Sequence, residues 1–230
     1  SERREHLDFF LRYGLYPDIA FAPEADARTL LDNLSSRYLY KDVLEYEQIK
    51  RADVLVKLLQ LLALQVGQLV SYHELANALH ISSPTVERYI DLLEKAFVVF
   101  RLPPLSRNLR NEIGKKNKIF FFDTGIRNSI IQQYQPVDLR SDKGGLWENF
   151  LLVERLKHLH AQGLAPNRYF WRTQQQAEID YVEEQDGRLA AFEFKWQGRT
   201  AKVPSVFAAA YPENDFQVVD RDNFEAFVGA

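Results

Sequence analysis

Between Ala177 and Trp196 two alternating runs flank the dipeptide Asp186-Gly187. This pattern constrains the chain more than any other. Asp-Gly between alternating segments predicts a two-residue β-turn, because both central positions need positive φ. A two-residue turn leaves no freedom of register. Paired residue numbers then sum to 373, which sets Asp180 opposite Glu193 and Glu178 opposite Lys195. Strand alternation puts these four on one face and Ile179, Tyr181, Phe192, Phe194 and Trp196 on the other, as an apolar layer for a helix to cover.

Two carboxylates opposed on one sheet face repel unless something compensates. Lys195, a shared proton or a divalent ion would each do so. Hard oxygen donors beside a lysine suit Mg²⁺ or Mn²⁺. In phosphodiester hydrolysis such an ion polarises a phosphoryl oxygen and activates water. The competing reading is a solvent-facing charge ladder in which Glu178 and Lys195 form a surface pair of little energetic weight.

Upstream, Val54, Leu55, Leu58, Leu59, Leu62 and Val66 recur at helical spacing. Ser71 and Glu74 predict a capping box, and Ser82-Ser83-Pro84 a second helix start. Val86, Tyr89, Ile90, Leu93 and Phe97 supply its apolar stripe. Two short helices joined by a tight turn and followed by the strand Phe97–Phe100 resemble a winged helix-turn-helix. The wing is expected after Pro103-Pro104, returning along the strand 118–122. Arg101, Arg107, Arg110, Lys115, Lys116 and Lys118 face the single acid Glu112, a net +5 over this stretch. With Thr85 and Arg88 on the second helix, these are the candidate nucleic-acid contacts. Against that, Glu87, Asp91 and Glu94 outnumber Arg88 and Lys95, so a protein-docking winged helix stands as the alternative.

The length of 230 residues predicts one or two domains at roughly 150 residues each. We expect a helical connector over 1–50, the helix-turn-helix over 51–135, and an α/β (α+β) domain over 136–230, a mixed sheet flanked by helices. The net charge of −3 argues against a general polyanion binder, so a nucleic-acid contact must be a local patch. The absence of cysteine excludes disulfides and thiolate metal sites, and fits a cytoplasmic location. No apolar run reaches the length of a membrane span, so no membrane partner is expected. A start at Ser1 without any methionine suggests a piece of a longer protein.

A helix over 146–159 is apolar around nearly its whole circumference, which places Glu148 among leucines. A carboxylate there is costly unless a cation or hydrogen bonds meet it; the alternative is a first-turn glutamate favoured by the helix dipole that reaches solvent. Asp180, followed thirteen residues later by Glu193-Phe194-Lys195, resembles the core of the PD-(D/E)xK nucleases. The whole chain is similar to the carboxy-terminal portion of prokaryotic AAA-superfamily ATPases. Its landmarks are Thr85-Val86 with Tyr89, Phe122-Asp123-Thr124-Gly125, Gly145-Leu146-Trp147-Glu148-Asn149-Phe150, Glu178-Ile179-Asp180 and Glu193-Phe194-Lys195. The resemblance implies a restriction-endonuclease-like fold. Asp180, Glu193 and the Phe194 carbonyl would be metal ligands with Glu148 as the helix acid, and Lys195 would be catalytic, with Glu178 beside it. It implies DNA and an ATPase region as partners. No G-x-x-x-x-G-K-[ST] loop occurs, so ATP belongs to the missing ATPase region. A non-catalytic regulatory module of that ATPase is the alternative.

Overall fold

The computed structural model describes residues 6–37, 51–106, 116–198 and 200–229. The chain divides into two compact units. One holds the residues up to Arg101 together with Lys118–Asn149, the other Leu102–Asn117 together with the chain from Phe150 onward. Both sheet and helix are present throughout, a mixed α/β protein.

The first unit begins with three helices, α1 (Leu7–Tyr13), α2 (Pro17–Ala20) and α3 (Glu24–Ser36). They do not form a mere connector. Tyr13, Ile19, Ala27 and Leu31 share one core with Val54, Leu55, Leu58, Leu59 and Leu62 of α4 (Ala52–Leu64). After the two-residue strand β1 (Leu69–Val70) come α5 (Tyr72–Leu79) and α6 (Ser83–Lys95). Leu75, Ala76 and Leu79 of α5 meet Val86, Tyr89, Ile90 and Leu93 of α6 in that same core. Ser71 Oγ accepts from the Glu74 N–H and Ser82 Oγ from the Thr85 N–H, so both predicted caps form. Each such cap contributes about 1 kcal/mol. Helix α5 ends in left-handed His80, with Ile81 N–H donating to the Ala76 carbonyl across the turn. This closure usually takes glycine.

Strands β2 (Val99–Leu102) and β3 (Asn117–Phe121) join β1 in a three-stranded sheet of order β1-β3-β2. Helix α7 (Thr124–Ile130) follows and acts as a hub. Asp123 caps it through the Ile126 N–H and also accepts from the Leu15 N–H at 2.9 Å. Thr124 Oγ1 donates to the Phe10 carbonyl, and Asn128 Nδ2 to those of Leu11 and Arg12. A side chain at Gly125 would collide with the Tyr13 carbonyl, so only glycine lets α1 approach this closely. The Asp-Thr-Gly landmark is therefore a grip on α1.

Helix α8 (Lys143–Ala161) carries the chain from the first unit into the second. The second unit is a four-stranded sheet of order β4-β5-β6-β7, with β4 (Asn167–Arg172), β5 (Glu178–Gln185), β6 (Arg188–Phe194) and β7 (Asn214–Val219). Pro104 bridges in parallel to Phe170, so the chain touches this sheet just after Pro103, while residues 107–115 of the expected wing lie outside the described residues. The β5–β6 ladder runs from Gln185↔Arg188 to Tyr181↔Phe192, the register that the Asp-Gly turn dictates. Strands β6 and β7 are parallel and joined through α9 (Ser205–Ala210).

Both faces of this sheet are apolar, not one. Tyr181, Phe192 and Phe194 pack with Phe227 of α10 (Phe224–Val228). Val182, Leu189 and Ala191 lie with Trp171, Phe207 and Tyr211 on the opposite face. Ile179 joins that second group and not Tyr181, against the simple alternation. A bulge explains this. Tyr169 faces Val182 and Trp171 faces Ile179, so two steps on β4 answer three on β5, and the extra residue falls at Asp180–Tyr181. A bulge bends the strand and re-aims its side chains. Among the described residues no helix is long and apolar enough to cross a membrane.

Candidate functional site at the end of the second sheet

The bulge turns Asp180 toward β6, where its Oδ2 accepts from the Phe194 N–H at 2.7 Å. The carboxylate thus reaches the β6 backbone one residue past its expected partner, Glu193. Lys195 Nζ lies 2.5 Å from Glu193 Oε1, the two side chains 34% and 17% exposed. Asp180, Glu193 and Lys195 are therefore together at one end of the sheet, half-buried. The Phe194 ring is buried on the opposite face. Glu178 is not paired with Lys195 in the ladder. It faces Arg172 across β4, and their side chains approach to 3.6 Å. The bulge is the reason, because it ends the β5–β6 register short of Glu178.

Glu148 meets a different lysine. It lies in the first turns of α8, within the first unit, and its Oε1 receives Lys118 Nζ at 2.9 Å with the side chains 9% and 2% exposed. The cost of burying a carboxylate among leucines is offset by the lysine of β3. This corrects the expectation for Lys118 and gives Glu148 a partner within the fold. As the chain is folded, Glu148 is occupied by a lysine, and Lys118 is too buried to touch a nucleic acid. The neighbouring Asn149 brackets Phe121, accepting from its N–H and donating to its carbonyl. A Cβ on Gly145 would meet the Val66 carbonyl at 2.5 Å. The Gly-Leu-Trp-Glu-Asn-Phe landmark is thus a structural clamp on β3.

The other expected nucleic-acid contacts are dispersed. Arg101 donates to Asp91, Glu94 and the Tyr72 hydroxyl, which together outweigh its burial and hold its pKa above the ordinary value. It neutralises the acids of α6 and is not presented to a phosphate. Thr85 is engaged with the Ser82 cap. Arg88 is exposed, its guanidinium over the Tyr89 ring, and Lys116 is exposed. Arg107, Arg110 and Lys115 lie outside the described residues.

Two further polar clusters are structural. In the first unit Arg127 and Arg140 share the Asp142 carboxylate, and Arg127 also donates to the Ala63 carbonyl. Burial alone would raise the Asp142 pKa, but the two guanidiniums outweigh it and hold the carboxyl at about 2. In the second unit Arg155 meets Glu183 with two parallel bonds of 2.7 and 2.8 Å and donates to the Phe227 carbonyl. That fork fastens the second half of α8 to β5 and α10. Burial, with Glu183 nearby, pushes the Tyr181 phenol well above its usual range.

Sequence reasoning passed over Arg221 at the rim of the site. Trp196 and Arg221 follow directly on β6 and β7, and the Arg221 guanidinium stands 4.7 Å from the centre of the Trp196 indole. Trp196 was read as the end of the hairpin's apolar face, and the only signal for Arg221 was its position just beyond a predicted strand.

Comparison with known proteins bears on the same regions. The profile of a domain of unknown function (DUF8612) matches residues 4–136, more than half of the chain, and the chain belongs to that family. A second domain of unknown function (DUF4143) matches residues 143–227, which include α8 and the site. An uncharacterized protein of Mycobacterium tuberculosis is 34% identical over 189 residues, 81% of this chain and 42% of that protein. An uncharacterized protein of Methanocaldococcus jannaschii is 30% identical over 55% of the chain and 27% of its own length. One from Haemophilus influenzae is 27% identical over 52% of the chain and 31% of its own length. The chain thus spans less than half the length of these relatives. No solved structure matches it.

Proposed function

We propose that the chain is the carboxy-terminal portion of an AAA-type ATPase and that its second unit is a PD-(D/E)xK-like, metal-dependent phosphodiesterase acting on DNA. The observation that carries this reading is the placement of Asp180 on the Phe194 N–H with Lys195 on Glu193. A carboxylate, a second carboxylate and an ammonium converge on one sheet end from residues far apart in β5 and β6. The helix-turn-helix of the first unit would serve as a winged-helix docking module, and ATP would bind outside these 230 residues.

A hard divalent ion fits the donors at the site in type. Asp180, Glu193 and the Phe194 carbonyl offer oxygen only. Among the described residues no group of three or more His, Asp or Glu side chains is assembled for a metal, and Glu148 is paired with Lys118. When bound, Mg²⁺ or Mn²⁺ would polarise the phosphoryl oxygen and lower the pKa of an attacking water. The chain's own part is electrostatic. Lys195 can donate to a non-bridging phosphate oxygen and stabilise the charge that grows there. The Phe194 N–H fixes the Asp180 carboxylate in one orientation.

Incubation with plasmid and with branched DNA in Mg²⁺ or Mn²⁺ tests the reading. Cleavage that falls at least about 100-fold in Asp180→Asn and Lys195→Ala is expected, the size of effect that loss of a single electrostatic group produces. No cleavage in either metal, or equal cleavage by Asp180→Asn, would overturn it. The burial of Glu148 against Lys118 favours a second reading, a non-catalytic regulatory module of the ATPase. Metal titration calorimetry in which wild type and Asp180→Ala behave alike would support that one.

A further inference from the structure

We propose that Arg221, stacked on Trp196, is a phosphate clamp that holds the backbone of a nucleic-acid strand beside the Asp180–Glu193–Lys195 cluster. The choice of ligand rests on the phosphodiesterase reading. The clamp itself rests on the local geometry.

Strands β6 and β7 are parallel, with Phe194 opposite Val219 and the Lys195 N–H donating to the Val219 carbonyl at 2.9 Å. The two strands therefore end at the same edge. Lys195-Trp196 and Asp220-Arg221 leave the sheet as neighbours. In sheets with parallel strands, ligands gather beyond the carboxyl ends, where loops diverge. The parallel β6–β7 pair thus opens where the acids and the lysine already converge.

The turn that carries Arg221 is fixed from both sides. The Asp220 N–H donates to Asn223 Oδ1, the Asp222 N–H to Asp220 Oδ1, and Asn223 Nδ2 to the Val218 carbonyl, each at 2.8 Å. The segment after Trp196 lies close by, since a Cβ on Gly198 would stand 3.0 Å from Asp220 Oδ2. On this turn the Arg221 guanidinium rests over the indole of Trp196, and among the described residues no carboxylate lies within ion-pair distance of it. The contrast with other arginines of the chain is plain. Arg12, Arg101, Arg127, Arg140 and Arg155 are each committed to at least one acid.

A guanidinium held over an aromatic ring keeps N–H groups free for a further acceptor. Those groups match two oxygens of a phosphate. Arg221 and Lys195 then present two cations at the ends of adjacent strands, which lie about 4.8 Å apart in any sheet. Together they fit a polyanionic strand better than a single small anion.

Fluorescence anisotropy with short labelled single-stranded oligonucleotides, one deoxyribo and one ribo, tests the clamp in EDTA, where nothing is cleaved. For at least one of the two, Arg221→Ala should weaken binding about fivefold at low salt and reduce the log–log salt slope by about 1. Arg221→Lys should restore the slope and only part of the affinity. An unaltered slope and affinity in Arg221→Ala, or no binding of either oligonucleotide by the wild type, would overturn the proposal. Cleavage by Asp180→Asn is scored separately. A binding defect in Arg221→Ala beside normal cleavage in Asp180→Asn would keep the clamp and discard the catalytic reading. The reverse pair of results would discard the clamp alone.

Discussion

The molecule holds two lysine–glutamate pairs of the same chemistry in opposite surroundings. Lys118 and Glu148 meet at 2.9 Å with side chains 2% and 9% exposed, while Lys195 and Glu193 meet at 2.5 Å with side chains 34% and 17% exposed. The first pair can turn nowhere else. Each charge is removed from water and meets an opposite charge in compensation. The second pair keeps contact with solvent, so either member can exchange its partner for a ligand at small cost. Burial, more than residue type, separates a structural pair from a pair available for chemistry.

Four measurements can break or sharpen that contrast. The largest effect belongs to Lys118→Met, which leaves Glu148 buried without its cation. We expect a loss of about 3–5 kcal/mol in urea unfolding. The double variant Lys118→Met/Glu148→Leu should recover most of that loss, because a well-packed apolar pair can replace a buried ion pair. Equal instability of the single and double variants would show that the pair does more than neutralise itself.

The third measurement probes an intermediate case, the Asp142 carboxylate between Arg127 and Arg140, at 25% exposure. Its folded pKa of about 2 lies below the ordinary 3.8. A depressed carboxylate contributes stability above the unfolded pKa and loses it as pH falls through the folded one. Acid unfolding should therefore draw on Asp142 between about pH 4 and pH 2. Asp142→Asn should cost about 2 kcal/mol at pH 7 and flatten that part of the pH profile. A mutant profile parallel to the wild type would contradict the assignment.

The smallest effect is expected at the exposed pair. Glu193→Gln should shift stability by less than about 1 kcal/mol, while metal-dependent cleavage falls sharply. If it destabilises as much as Lys118→Met, the pair at the sheet end is structural after all.

Much of this arrangement could be read from the sequence. Asp186-Gly187 fixed the hairpin register, since a two-residue turn admits one pairing only. The caps at Ser71 and Ser82 were equally legible, because a hydroxyl before an apolar stripe has one common use. The bulge at Asp180 was not. An extra residue in a strand leaves no compositional mark, yet it sent Ile179 to the other face and Glu178 to Arg172. The second apolar face was overlooked because the charged residues at the ends of β5 and β6 masked Val182, Leu189 and Ala191 between them. Glu148 was read as a first-turn glutamate reaching solvent or, through the resemblance, as a metal ligand; the lysine it meets sits thirty positions earlier in the chain. Counting charges along 101–118 assigned that lysine to a loop, and such a count does not say which charges fold inward.

The hub at α7 has a practical consequence for anyone trimming this protein. Asp123, Thr124 and Asn128 spend their polar atoms on the backbone of residues 10–15, and Gly125 is shaped to receive Tyr13. A shortened chain beginning after residue 15 would keep every residue of α4 to α6 and of the second unit. It would also leave those hub groups without the partners they were folded around, and solubility would suffer before any assay began.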